Sequence, residues 1–91
     1  MKLRWLPQAR YDLDRQLDYL AERNPAAAIE ATETIDAAVR RLRKFPGSGR
    51  AGRLPGTREL VVTGTPFIVV YRVKPTGVVL VRVLHAARHW P

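Results

Sequence analysis

Residues 2 to 6 alternate polar and apolar positions, Lys2 and Arg4 against Leu3, Trp5 and Leu6, and that period of two predicts a short strand. Pro7 ends it, because proline cannot donate to a ladder but suits the first turn of a helix. The period then lengthens. Ala9, Leu13, Leu17, Leu20 and Ala21 recur at spacings of three and four, with Asp12, Arg15, Asp18 and Glu22 on other faces, which predicts an amphipathic helix. Asn24-Pro25 stops that helix and starts another, supplying an N-cap acceptor and a proline at the first helical position. In the second helix Ala28, Ile29, Thr32, Ile35, Ala38, Val39, Leu42 and Phe45 form the expected apolar stripe. With almost no linker between them, the helices must make a tight hairpin.

Residues 46 to 56 hold four glycines and two prolines, too many for a regular element, so they read as a loop. The loop lacks the lysine-serine/threonine end of a Walker motif and precedes no helix, so a nucleotide-phosphate cradle is rejected. Strand-like runs follow at Thr57 to Thr63, Phe67 to Val73 and Val78 to Leu84, separated by Gly64-Thr65-Pro66 and Lys74-Pro75-Thr76-Gly77, an antiparallel meander. The last two runs are nearly continuous in apolar residues, which implies cover on both faces. The helix hairpin covers one face. The loop, the tail or a partner protein covers the other, and a partner is expected. Arg72 and Arg82 interrupt these strands, and a buried unpaired guanidinium is costly, so each must reach an edge, a carboxylate or a ligand. A two-residue turn between the strands would put the two arginines on opposite faces and a three-residue turn on the same one.

At 91 residues a single domain spanning 1–91 is expected. Sixteen basic and eight acidic residues leave a net charge of +8, which attracts nucleic acid, acidic proteins or anionic membrane. Cysteine is absent, so disulfides, thiolate chemistry and the usual structural zinc sites are not expected; no metal or cofactor is assigned. No stretch of 18 apolar residues occurs and no signal-peptide core opens the chain, so the protein is read as soluble and cytoplasmic. The second helix carries acids early (Glu30, Glu33, Asp36) and bases late (Arg40, Arg41, Arg43, Lys44). The basic cluster is either a phosphate-binding patch or a solvated helix end that complements the macrodipole.

The residues able to do chemistry are Arg58, Glu59, Tyr71, Arg72, His85, Arg88 and His89. Cutting RNA needs a base, an acid and a cation for the phosphate; His85 with Arg58 and Arg88 could fill those roles, since histidine titrates near neutrality. The alternative is that His85 caps a strand end while the arginines bind a protein or pair with acids such as Glu59, and no spacing here is diagnostic of a catalytic pair. Trp90 is a base-stacking aromatic, an interface anchor or a lid on the core.

Seven signatures, in order, resemble one known family over essentially the whole chain. They are Trp5-Leu6-Pro7, Asn24-Pro25-Ala26-Ala27-Ala28, Phe45-Pro46, Gly49-Arg50-Ala51-Gly52, Gly56-Thr57-Arg58-Glu59-Leu60, Tyr71-Arg72-Val73, and Val83-Leu84-His85-Ala86-Ala87-Arg88-His89-Trp90-Pro91. The chain resembles the ParE branch of the RelE/ParE superfamily of toxins from toxin-antitoxin modules. The resemblance implies an α+β fold of order β-α-α-β-β-β, a helix hairpin on one face of a small, mainly antiparallel sheet. It implies a toxin that inhibits DNA gyrase without being an enzyme, neutralised by a ParD-like antitoxin whose acids would meet the positive charge; DNA is contacted only through antitoxin or gyrase. RelE-like nucleases typically place an arginine just after the aromatic of the middle strand, where this chain has Ile68, and they commonly end in tyrosine or histidine-tyrosine, where this chain has His89-Trp90-Pro91. A ribosome-dependent mRNA endoribonuclease using Arg58, His85 and Arg88 is therefore the alternative. Candidates for target contact are Arg58, His85, Arg88 and Trp90; candidates for antitoxin contact are Leu13, Leu17, Leu20, Arg50, Arg53, Tyr71 and Arg72.

Overall fold

The computed structural model describes residues 1–87. Strand β1 (Lys2–Trp5) leads into helices α1 (Pro7–Arg23) and α2 (Pro25–Arg41), followed by strands β2 (Arg50–Ala51), β3 (Arg58–Val61), β4 (Phe67–Lys74) and β5 (Gly77–His85). They form one five-stranded sheet in the order β1-β5-β4-β3-β2. β1 lies parallel to β5, with Trp5 opposite Leu80, and the other pairings are antiparallel. This is the expected helix hairpin on a mainly antiparallel sheet, with one addition. The segment read as pure loop contains a 3-10 turn at Pro46–Ser48 and the two-residue strand β2. Two of its glycines serve close approach: a side chain at Gly49 would meet the Tyr71 hydroxyl at 2.6 Å, and one at Gly52 would collide with the Thr57 hydroxyl. Bare backbone can therefore lie against β3 and β4 where any other residue would be held off.

The hairpin follows the sequence closely. Asn24 alone separates the helices, and its Oδ1 accepts the Ala27 N–H at 3.1 Å. The core gathers Ala9 and Leu13 of α1, Ala31, Ile35, Ala38 and Val39 of α2, Leu42 beyond it, and Phe67, Val69, Tyr71, Val78, Leu80 and Val83 of the sheet. The alanines keep side chains short where helices meet, which sets how closely their axes approach. Ile29 and Phe45, both placed in the apolar stripe, are instead 64% and 61% exposed. The buried line runs 28, 31, 35, 38, 39, 42, and Ile29 stands one residue, about 100°, away from Ala28; Thr32 also faces outward, its hydroxyl donating to Ala28 O at 2.8 Å.

The sheet's second face is buried in part within the chain itself, although Val61, opposite Ile68, stays 50% exposed. Ile68, Val70 and Leu84 form a second cluster, 4%, 0% and 7% exposed, with Val81 packed against them. The chain alone buries these three residues, for which the sequence predicts a partner as cover, with the loop or tail as the alternatives.

Arg72 and Arg82 are separated by the two-residue connection Pro75-Thr76, since Lys74 pairs with Gly77. Parity along the strands does not decide their fates, because the register slips: Val70 pairs with Arg82 but Tyr71 with Leu80, leaving Val81 as an extra residue. Arg82 reaches α1, where Asp12 accepts its Nε at 2.7 Å and its Nη2 at 3.1 Å. Arg72 reaches the loop, donating to Pro55 O at 3.2 Å.

Asp12 also closes a gap in the sheet. β1 covers β5 only from Gly77 to Leu80, and beyond that point α1 takes over: Asp12 Oδ2 accepts the Val83 N–H at 3.0 Å and Gln16 Nε2 donates to Val83 O at 3.0 Å. Two helix side chains thus complete a ladder that has run out of strand. Burial pushes the Asp12 carboxyl up, but the bonds from Arg82, Val83 N–H and Gln8, with the Arg82 charge, hold it below its ordinary value. Replacing Asp12 by alanine strands the Arg82 guanidinium and the Val83 amide together and is expected to cost about 2–3 kcal/mol in urea denaturation; a loss below about 0.5 kcal/mol would mean the bridge is incidental.

Candidate recognition site

The segment from Pro46 to Thr57 is pinned to the sheet by side chains of β3 and β4. Glu59, in β3, has a side chain only 1% exposed, whereas those of Arg50 and Arg53 are 55% and 38% exposed. Its Oε1 lies 3.3 Å from Arg50 Nη2 and 3.4 Å from Arg53 Nε, and Oε2 accepts the Arg53 N–H at 2.9 Å. The carboxylate is inside and its cations are outside, so it is neutralised from the solvent side. Burial pushes Glu59 up, yet the Arg53 N–H, the Arg50 hydrogen bond and both guanidinium charges bring it below its ordinary value.

Tyr71 holds the start of the same segment. Its buried hydroxyl donates to Pro46 O at 2.7 Å and accepts the Gly49 N–H at 2.8 Å. Arg58 donates to Gly49 O at 2.9 Å and Gly47 O at 3.4 Å, and Arg72 takes Pro55 O. The outcome is four arginines at this end of the sheet: Arg50 and Arg53 at Glu59, Arg72 of β4 at Pro55 O, and Arg58, the neighbour of Glu59 in β3, directed to the opposite face with Tyr71. Beside Arg58 lies an open depression of about 360 Å³ lined by Ala51, Gly56, Thr57, Arg58 and Val73. Guanidinium groups keep their protons at any physiological pH, so such a rim can hold carboxylates or phosphates but cannot act as a base.

His85 is elsewhere. It pairs with Phe67, whose ring it meets edge-on at 6.2 Å and 84°, and its Nδ1 accepts the Ala87 N–H at 3.2 Å. Arg58 pairs with Tyr71, four residues farther along β4 and on its other side. Four strand steps and two inter-strand spacings put the two Cα atoms about 16 Å apart. The histidine and arginine that would have to share a scissile phosphate are not brought together. Ile68, where the nucleases carry arginine, is buried in the second cluster.

The other expected site residues divide clearly. Leu13 and Tyr71 are 5% and 0% exposed and belong to the protein's own core, which removes them as surface contacts; Leu17 and Leu20 are partly buried beside it. Arg50, Arg53 and Arg72 lie on the rim. Arg88 and Trp90 fall outside the described residues. Among the described residues no three of histidine, aspartate and glutamate cluster as a metal site, and no helix is long and apolar enough to cross a membrane. What sequence reasoning missed is the tether itself, Tyr71 to Pro46 and Glu59 to Arg53 N–H. Only a polar hydroxyl and a carboxylate at inward positions of otherwise apolar strands could have signalled it.

Known proteins share this fold. The family model for the ParE toxin of the type II toxin-antitoxin system parDE matches residues 3–90. The chain is 38% identical over 90 residues to the candidate toxin Y4kP of Sinorhizobium fredii, covering 99% of this chain and 93% of that protein. It is 34% identical over 84 residues to toxin RelE2 of Caulobacter vibrioides, covering 92% and 93%. A solved structure described as a chromosomal ParDE toxin-antitoxin system from P. aeruginosa superposes with a TM-score of 0.83 at 31% identity, over 93% of this chain and 95% of that one. The architecture is a ParE-like α+β fold. The chain belongs to the ParE toxin family of type II toxin-antitoxin systems.

Two outcomes check the tether. Tyr71→Phe leaves the Gly49 amide and Pro46 carbonyl without their partner, so it is expected to lower stability by about 1–3 kcal/mol and to abolish slow hydrogen exchange at Gly49; unchanged exchange there would contradict the assignment. Glu59 and Asp12 sit below their ordinary values of 4.5 and 3.8. Their contribution is therefore complete above those values and lost as pH falls through the lower, folded ones. The urea midpoint should fall on acidification below about pH 4.5 and fall less steeply in Glu59→Gln; identical slopes would remove Glu59 as a source of the acid sensitivity.

Proposed function

We propose that this toxin inhibits DNA gyrase by binding it, without cutting a nucleic acid itself, and that a ParD-like antitoxin neutralises it in the cytoplasm. The observation that carries the reading is the separation of about 16 Å between Arg58 and His85, with Ile68 buried where a phosphate-binding arginine would be needed. Acid-base catalysis needs its groups within hydrogen-bond reach of one reacting centre, and the described residues offer no such pair. An arginine rim suits a different task. Arginine is enriched at protein-binding hot spots because its planar head pairs with carboxylates and stacks on aromatics.

In this reading Arg58 and His85 contact the target, joined by Arg88 and Trp90. Arg50, Arg53 and Arg72, with the α1 flank at Leu17 and Leu20, receive acidic and apolar residues of the antitoxin. The two sets share the β3–β4 region, Arg58 on its opposite face, so an antitoxin reaching around the rim would obstruct the target there.

Purified toxin added to a gyrase supercoiling reaction is expected to reduce supercoiling and to leave linear DNA after protein digestion, with the antitoxin reversing both. Arg58→Ala should raise the concentration for half-inhibition about tenfold, the effect of losing one well-placed arginine at a protein interface. Full supercoiling with no linear product at saturating toxin would sink the proposal.

A further inference from the structure

The end of α2 carries a second basic surface that the arginine rim does not include. Arg40, Arg41, Arg43 and Lys44, together with Met1, line a depression of about 430 Å³. We propose that this depression binds the phosphate backbone of nucleic acid, with Phe45 as a platform on which an unpaired base stacks. The inference does not rest on gyrase inhibition.

These cations are not all needed to close the end of the helix. A basic cluster at a helix C-terminus ordinarily satisfies the last carbonyls and the negative end of the macrodipole. Here the backbone does much of that itself: Leu42 N–H donates to Val39 O, Arg43 N–H to Arg40 O, and the Lys44 and Phe45 amides both donate to Arg41 O at 3.1 and 2.9 Å. Arg43 Nε takes Met1 O at 3.2 Å instead, which fixes the chain's first residue against the cluster and forms one wall of the depression. Arg40 is held by Asp36 at 3.0 Å while its side chain stays 70% exposed. Arg41 and Lys44 are exposed. No acid is among the residues that line the depression.

Phe45 is the second, independent observation. It follows Lys44 directly, lies beyond the end of α2 at Arg41, and is 61% exposed. An exposed aromatic at the end of a run of cations is the pairing that single-stranded nucleic acid binders use, phosphates on the basic groups and a base on the ring. Binding flat on an anionic membrane fits less well. A membrane-surface helix needs a whole apolar face, and the apolar face of α2, with Ala31, Ile35, Ala38 and Val39, is buried inside the protein.

The test is fluorescence anisotropy of the full chain with labelled oligonucleotides of about 20 nucleotides, single-stranded and duplex, between about 50 and 200 mM salt. Arg41→Gln/Arg43→Gln/Lys44→Gln is compared with Arg4→Gln/Arg15→Gln/Lys74→Gln, which removes the same charge from other exposed positions. Each lost phosphate contact flattens the log-affinity against log-salt slope by about 0.9, so the patch variant should lose about 2 to 3 units of slope and at least about tenfold in affinity at the lower salt. The control should change by less than about twofold. Arg41→Gln/Lys44→Gln keeps the Arg43–Met1 and Arg40–Asp36 contacts, so its loss of affinity cannot be a loss of fold; circular dichroism checks this. Phe45→Ala should weaken the single strand several-fold more than the duplex. Equal losses in patch and control variants, unaltered binding in the patch variant, or binding to anionic vesicles but to neither oligonucleotide would each overturn the proposal; equal effects of Phe45→Ala on both oligonucleotides would overturn the stacking platform.

Discussion

One buried carboxylate organises the surface of this protein. Glu59 lies in β3 with its side chain almost wholly inside, and it can remain charged there only because Arg50, Arg53 and the Arg53 amide converge on it. Removing an ion from water costs several kcal/mol unless partners replace the lost hydration. That demand reaches outward. The segment carrying Arg50 and Arg53 must lie over β3, the short strand β2 forms where it does, and Tyr71 and Arg58 fix the preceding turn by its carbonyls. A glycine-rich stretch with little ordering of its own becomes a defined basic rim because a carboxylate beneath it has nowhere else to find cations.

A similar economy holds the other side of the sheet. α1 supplies Asp12 and Gln16 to the edge of β5 where β1 ends, and Arg82 completes the connection. Both devices use charged side chains as structure, which bears on function. Arg82 is occupied by Asp12, Arg58 by glycine carbonyls, and His85 lies across the sheet from Arg58. Among the described residues, those most able to do chemistry fasten the chain's own backbone and form its ion pairs. In a ParE-family toxin with this distribution, harm to the cell would come from holding a target in the wrong state.

The sequence made the framework legible because its signals were local. Asn24-Pro25 marked the hairpin to the residue, Pro7 marked the first helix, and apolar runs marked β4 and β5 as inner strands. The misses were cases where distant parts of the chain decide. Ile29 matched a helical repeat whose buried line runs one residue away through Ala28, and Phe45 lies beyond the helix, which ends at Arg41. β2 was invisible because its two residues pair only through an edge that β3 provides. The parity argument for Arg72 and Arg82 failed on a single extra residue, Val81, which no local pattern announces. Leu13 and Tyr71 looked like contact residues and are core, since a strong apolar anchor reads the same whether it faces a partner or its own fold. For the site, residue type was readable and assembly was not. Arginines and histidine could be named from the sequence, but which of them share a neighbourhood follows only from strand order.

The central claim, that this toxin binds its target and does not cut, is tested most directly on translating ribosomes. Primer extension across mRNA in a translation reaction containing purified toxin should show no toxin-dependent ends, even at toxin concentrations that stop supercoiling. Cuts that appear with the toxin, occur only in translated regions and vanish in His85→Ala would contradict the account and place a working active site where the described geometry has none.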